Sequence, residues 1–143
     1  MKEYFIFSIK KDIYKLYKDN PRALFLILNR IYYMKAIDIN YGQNLFEQIA
    51  NFLNKESINN YLEKSLSDRI MYSRTNNEHV INNLYLDEIS VLTVKNTHIK
   101  IESNKKSSFL ELLKKHDDNF FVCDFKEQEY YFLKKKTLKA YIV

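Results

Sequence analysis

The chain is predicted to fold as an α/β (α+β) protein, a single mixed sheet of about five strands covered by roughly four or five helices. Three observations carry this expectation. Residues 2–17, KEYFIFSIKKDIYKLY, run from an aromatic, β-branched strand through lysines into a short helix. Residues 21–67 repeat apolar side chains at helical spacing. The last third alternates apolar and polar residues around short polar turns, the pattern of hairpins. At 143 residues and 17.4 kDa the whole chain, 1–143, reads as one domain with a sizeable core.

Residues 3–10 form the first expected strand. Tyr4, Phe5, Ile6 and Phe7 are consecutive, so both faces should be covered and the strand should be central. Residues 11–18 fit a helix with Ile13, Tyr14, Leu16 and Tyr17 on one arc and Lys11, Lys15 and Lys18 opposite. Asp19-Asn20-Pro21 is a helix start, with Pro at the first helical position where a missing N–H costs nothing. The helix it opens, 21–34, is apolar almost all round and is expected to be the most buried. A connector over 35–42 leads to a helix over 43–54, with Leu45, Phe46, Ile49, Ala50 and Leu53 on one face and Gln48 and Phe52 at its border. Residues 57–67 fit another helix, through Ile58, Tyr61, Leu62 and Leu66. Residues 68–83 are polar and mixed, and irregular structure with one short helix over 78–84 is expected there. Strands over 88–95 and 98–103 turn at Asn96-Thr97. Ser107-Ser108 with Glu111 resembles a capping box for a helix over 109–116. Strands over 119–125 and 129–134 make the second hairpin.

Composition narrows function. Lys and Arg number 23 against 18 acidic residues, a formal charge of +5, which suits nucleic acid or an acidic protein without choosing between them. Only Arg22, Arg30, Arg69 and Arg74 are arginines, and base reading and bidentate phosphate clamps favour Arg over Lys. With Gly42 the sole glycine, neither a phosphate-binding loop nor a dinucleotide fingerprint can be written. Residues 1–10 put aromatics where a charged leader region would stand, and the longest apolar run, 23–28, ends at Asn29-Arg30. No leader and no membrane span are therefore expected, and the expected location is the cytoplasm.

No constellation points to catalysis, a cofactor or a metal. His79, His98 and His116 lack metal-ligand spacing and read as solvated or capping groups. Cys123 lies in an apolar strand and reads as a small buried hydrophobe, since nothing local would activate it. Asp87-Glu88 and Asp117-Asp118 sit at element boundaries and suit strand and helix ends. Lys105-Lys106, Lys114-Lys115 and Lys134-Lys135-Lys136 offer an alternative function, a small basic nucleic-acid-binding domain with a lysine-rich face. Aromatics do not interleave with these lysines as base stacking requires, so a solvated face is the plainer reading. The Ile13/Tyr17 stripe has two readings, core by periodicity or contact surface by its tyrosines.

Several short patterns occur in colinear order. Tyr4, Phe5, Phe7, Ile9 and Lys10 precede Asp12, Ile13 and Tyr17; Gln48-Ile49 lies in a later helix; Leu113-Lys114-Lys115 precedes residues 120–125 and the aromatic strand 130–133. In this order the chain resembles the SirA family, the sporulation inhibitor of replication, with the likeness thinnest over 55–87. The resemblance implies an α/β protein without enzymatic activity or cofactor that binds domain I of the initiator DnaA and blocks its assembly at the origin. In that family an aromatic and a Tyr of the first helix and a Gln of a later helix contact the initiator, and these positions fall on Ile13, Tyr17 and Gln48. Ile13 stands where the family has Phe, and Lys135 where it has Pro. The resemblance, and not periodicity, moves Ile13 and Tyr17 to the surface.

Overall fold

The computed structural model describes residues 1–34, 36–116 and 119–134. Its axis is β1, Lys2–Ile9, buried continuously from Tyr4 to Ile9. On one edge β1 pairs with β6, Ile99–Ser103, setting Tyr4 opposite Ile101. On the other it pairs with β7, Phe120–Asp124, setting Phe7 opposite Phe121. Beyond β6 lie β5 (Glu88–Val94), β4 (Glu78–Asn83) and β3 (Tyr72–Thr75), and beyond β7 lies β8 (Glu129–Phe132). The two-residue β2, Ala50–Asn51, pairs with Ser8 and Ile9, past the point where β6 stops.

The class expected from sequence holds, but among the described residues the sheet has eight strands rather than about five, and each pairing is antiparallel rather than mixed. The missed strands are β2, β3 and β4. Where irregular chain and a helix over 78–84 were expected, Tyr72–Thr75 and Glu78–Asn83 form a hairpin. Asn76 turns it with φ 53°, a left-handed conformation that Asn tolerates better than most residues. In β4 the residues packed inward are His79 and Ile81. The histidine hides the apolar alternation by which a strand is recognised.

Successive side chains of a strand point to opposite faces, so the sheet supports two cores. On one face α4 (Lys55–Leu66) and α5 (Phe109–His116) bring Ile58, Leu62, Phe109 and Leu113 onto Ile6, Leu92, Ile101 and Val122. On the other, α2 (Pro21–Tyr32) and α3 (Ile39–Ile49) bring Leu24, Phe25, Leu28 and Phe46 onto Phe5, Phe7, Phe121 and Cys123, and α1 (Lys11–Tyr17) packs Ile13, Tyr14 and Tyr17 partly buried against them. β1 is buried on both faces because it contributes to both cores.

Three helix details depart from expectation. α2 buries only Leu24, Phe25 and Leu28 and leaves Leu26 and Tyr32 exposed, because it is an outer layer with solvent on its far side. α3 begins at Ile39 rather than 43 and ends at Ile49 rather than 54, since Ala50 turns extended (φ −127°, ψ 155°) to enter β2. The acid serving the start of α5 is Glu88, not Glu111. Glu88 Oε2 accepts from Ser108 N and Oγ, both at 3.0 Å, and from Ser90 Oγ at 2.5 Å. Glu111 lies 3.8 Å from Lys114 of its own helix. No helix among the described residues is long and apolar enough to cross a membrane.

Candidate functional site

α1 follows β1 directly and is too short to bury any residue fully. It is held by one side of its arc. The Tyr14 ring meets Phe132 of β8 edge-on, with centroids 5.0 Å apart, and Lys134 Nζ lies 3.9 Å from the Tyr14 centroid. Ile13 and Tyr17 are half-buried, while Leu16, expected on the same arc, is 72% exposed.

The end of α3 is placed beside α1 by the backbone. Lys10 N donates to Ile49 O at 3.0 Å, and Ala50 then pairs with Ile9. Gln48 is thereby carried, exposed, to the α1 side of the molecule.

These constraints leave a hollow of about 360 Å³ between α1, α2 and α3. Its lining includes the three residues singled out from sequence, Ile13, Tyr17 and Gln48, together with Leu16, Arg30 and Tyr41. Arg30 of α2 lies 5.7 Å from the Tyr41 ring centroid and joins α2 to the first turn of α3. Tyr41 escaped the sequence reading because its segment was assigned to the connector, and Arg30 because its helix was expected to be buried all round. Among the described residues the lining is aliphatic and tyrosine-rich, with one guanidinium, one amide and no carboxylate. Such a surface suits apolar and hydrogen-bonded contact with another protein.

The remaining sequence candidates fall elsewhere. His79 is fully buried rather than solvated. Its Nε2 donates to Asn59 Oδ1 at 2.8 Å, so in the neutral ring Nδ1 accepts from Tyr72 OH at 2.7 Å. Burial, helped by the Arg74 charge, lowers its pKa to about 4. His98 is likewise half-buried, tilted against Phe5 and Phe7, with its pKa lowered to about 4 by burial and by Lys95 and Lys100. His116 packs against Tyr61 and Phe120. Cys123 is buried as expected, and burial pushes its thiol well above the ordinary range. Among the described residues no group of three or more His, Cys, Asp or Glu is arranged to hold a metal.

Among the described residues, the lysines of these clusters do not gather on one face. Lys114 and Lys115 ride α5 on one side of the sheet, whereas Lys134 lies over Tyr14 on the other. Lys105 Nζ donates to the carbonyl of Leu86. Lys135, Lys136, Asp117 and Asp118 lie outside the described residues.

Comparison with the curated proteins finds none that matches. The family model described as sporulation inhibitor of replication protein SirA matches residues 2–136, nearly the whole chain. The match runs through β1, the three helices around the hollow and the last hairpin. The chain belongs to the SirA family of sporulation inhibitors of replication.

Proposed function

We propose that this chain is a single-domain, cytoplasmic, non-enzymatic inhibitor of replication initiation that binds domain I of the initiator DnaA. The observation that carries the reading is the hollow between α1, α2 and α3, where Ile13, Tyr17 and Gln48, distant in sequence, share one lining. Family membership supplies the process, control of replication. The hollow supplies a surface on which a protein partner can seat.

The mechanism is occlusion. Domain I carries the contacts through which initiators self-assemble and recruit partners, so covering it prevents assembly without any bond being made or broken. An interface of ordinary size covers ~800 Å² on each partner and depends on a few anchors. Ile13 and Tyr17 are the apolar anchors and Gln48 a polar contact at the rim. Tyrosine suits this position because its ring supplies apolar area with little rotamer freedom to lose and its hydroxyl keeps a hydrogen bond. Ile13 fills the same position as the family's Phe with less area.

Size-exclusion chromatography of the full chain mixed with purified DnaA domain I tests the proposal. A co-eluting complex is expected, and separate elution of two folded proteins rejects it.

A further inference from the structure

A second, larger cavity of about 540 Å³ lies on the far side of α3. The helix divides its residues between the two sites. Gly42, Gln43 and Phe46 line this cavity, and Tyr41, Leu45 and Gln48 line the hollow described above. The two sites share no lining residue.

The cavity has an apolar body and a basic side. The body is formed by Phe5 and Phe7 of β1, Leu28 of α2, and Phe46 and Phe52. The basic side is the β5–β6 turn and its flanks, with Lys95, Thr97, His98 and Lys100. Among the described residues no carboxylate lines it. Lys100 Nζ stands 5.9 Å from the Phe5 ring centroid, at the boundary between the two regions. It lies 3.8 Å from Glu3 and 3.6 Å from Glu102, long and partly exposed contacts that leave it able to meet another anion. Lys95 is exposed and, among the described residues, has no ion-pair partner. Both lysines depress the His98 pKa, so their positive field reaches the side chains of the cavity. The volume falls in the range of small-molecule sites, roughly 300–1,000 Å³.

We propose that this cavity binds a small amphipathic carboxylate of the medium-chain fatty-acid class. Its chain lies among the phenylalanine rings and its carboxylate meets Lys95 and Lys100. A wholly apolar ligand would leave the lysines unused, and a polar anion such as phosphate would leave the aromatic body empty.

The test titrates decanoate, below its micelle threshold, into the full chain by calorimetry, with decanol as the uncharged control. Two exposed lining positions allow variants with little risk to the fold, Lys95→Glu and Gln43→Trp, and circular dichroism checks that both remain folded. Saturable one-to-one binding of decanoate is expected. Lys95→Glu should weaken decanoate by about tenfold or more through charge reversal while leaving decanol unchanged. Gln43→Trp should weaken both by filling the mouth. Failure of the folded wild type to bind decanoate saturably overturns the proposal, as does indifference of decanoate to Lys95→Glu or of both ligands to Gln43→Trp. Neither position lines the hollow that holds Tyr17, so the outcome is independent of initiator binding.

Discussion

The backbone N–H of Lys10 donates to the carbonyl of Ile49 at 3.0 Å, tying the residue that precedes α1 to the last residue of α3. Through this bond Gln48 sits beside Ile13 and Tyr17. Lys10 has φ −59°, a value proline adopts without strain. Lys10→Pro removes the donor and also sets the ring Cδ against the Ile49 carbonyl oxygen, so the junction has to open. The lost bond costs about 1 kcal/mol and the ring's contact with the carbonyl adds to it, outweighing the roughly 0.5 kcal/mol from a stiffer unfolded chain. Global stability should fall by about 1–3 kcal/mol, and amide exchange over 45–49 and 11–17 should quicken. Unchanged exchange in both segments would mean that packing, not this bond, fixes the junction.

The shape of the hollow makes separate predictions for Ile13 and Gln48. Ile13→Phe adds apolar area at a half-buried anchor and should tighten initiator binding by a few-fold, about 0.5–1 kcal/mol. Gln48 is exposed, so Gln48→Ala should weaken binding by no more than about tenfold, as expected of a rim hydrogen bond. Surface plasmon resonance on these two variants and on Ile13→Ala decides. A larger loss from Gln48→Ala than from truncating Ile13 to Ala would reverse their roles.

Acid should destabilise the fold through its buried histidines. His79 titrates near 6.5 when unfolded and at about 4 when folded. Between those values the unfolded chain holds a proton that the native chain does not. Stability is therefore fully present above pH 6.5 and falls as pH drops toward 4. At pH 5 the loss from His79 is at most about 2 kcal/mol. His98, also lowered to about 4, contributes in the same window. His79→Gln can keep a donor and an acceptor without titrating, so its urea midpoint should depend on pH about half as steeply between 6.5 and 5. A variant as steep as the wild type would place the titration elsewhere.

Legibility in the sequence followed how much of the signal was local. β1, the α4 helix and the two C-terminal hairpins carry aliphatic and aromatic residues at their own periods, and each was readable in place. β3 and β4 were not, because the strand position that packs inward beside Ile81 is His79, whose burial depends on Asn59 and Tyr72. The acid at the start of α5 is hidden for a similar reason, since Glu88 reaches Ser108 across 20 residues whereas Glu111 stands at the local capping-box spacing. Ile13 and Tyr17 could be named from family likeness, yet nothing local joined them to Arg30 or Tyr41. That grouping comes from the tertiary fold, in which the Lys10–Ile49 bond and the packing of α2 between α1 and α3 gather the residues.

Glu88 offers a sharp test of long-range capping. Its Oε2 accepts from two hydroxyls and one backbone amide in a nearly closed site. Glu88→Ala leaves those donors without their acceptor and should cost about 2–4 kcal/mol. Glu88→Gln keeps an acceptor oxygen and should cost about half as much. Urea denaturation of the two variants measures the difference. Equal losses would show that carboxylate charge, not the acceptor, holds the start of α5.

Calorimetric titration of DnaA domain I into the full chain and into Tyr17→Ala, with the melting temperature of each recorded, tests whether the hollow seats the initiator. The expected result is a one-to-one complex for the wild type and a loss of about 2 kcal/mol or more, roughly thirtyfold in Kd, for Tyr17→Ala. Because Tyr17 is only half-buried in a short helix, the two melting temperatures should lie within a few degrees. Equal affinity of the two proteins for domain I, or no affinity in the folded wild type, would contradict the account.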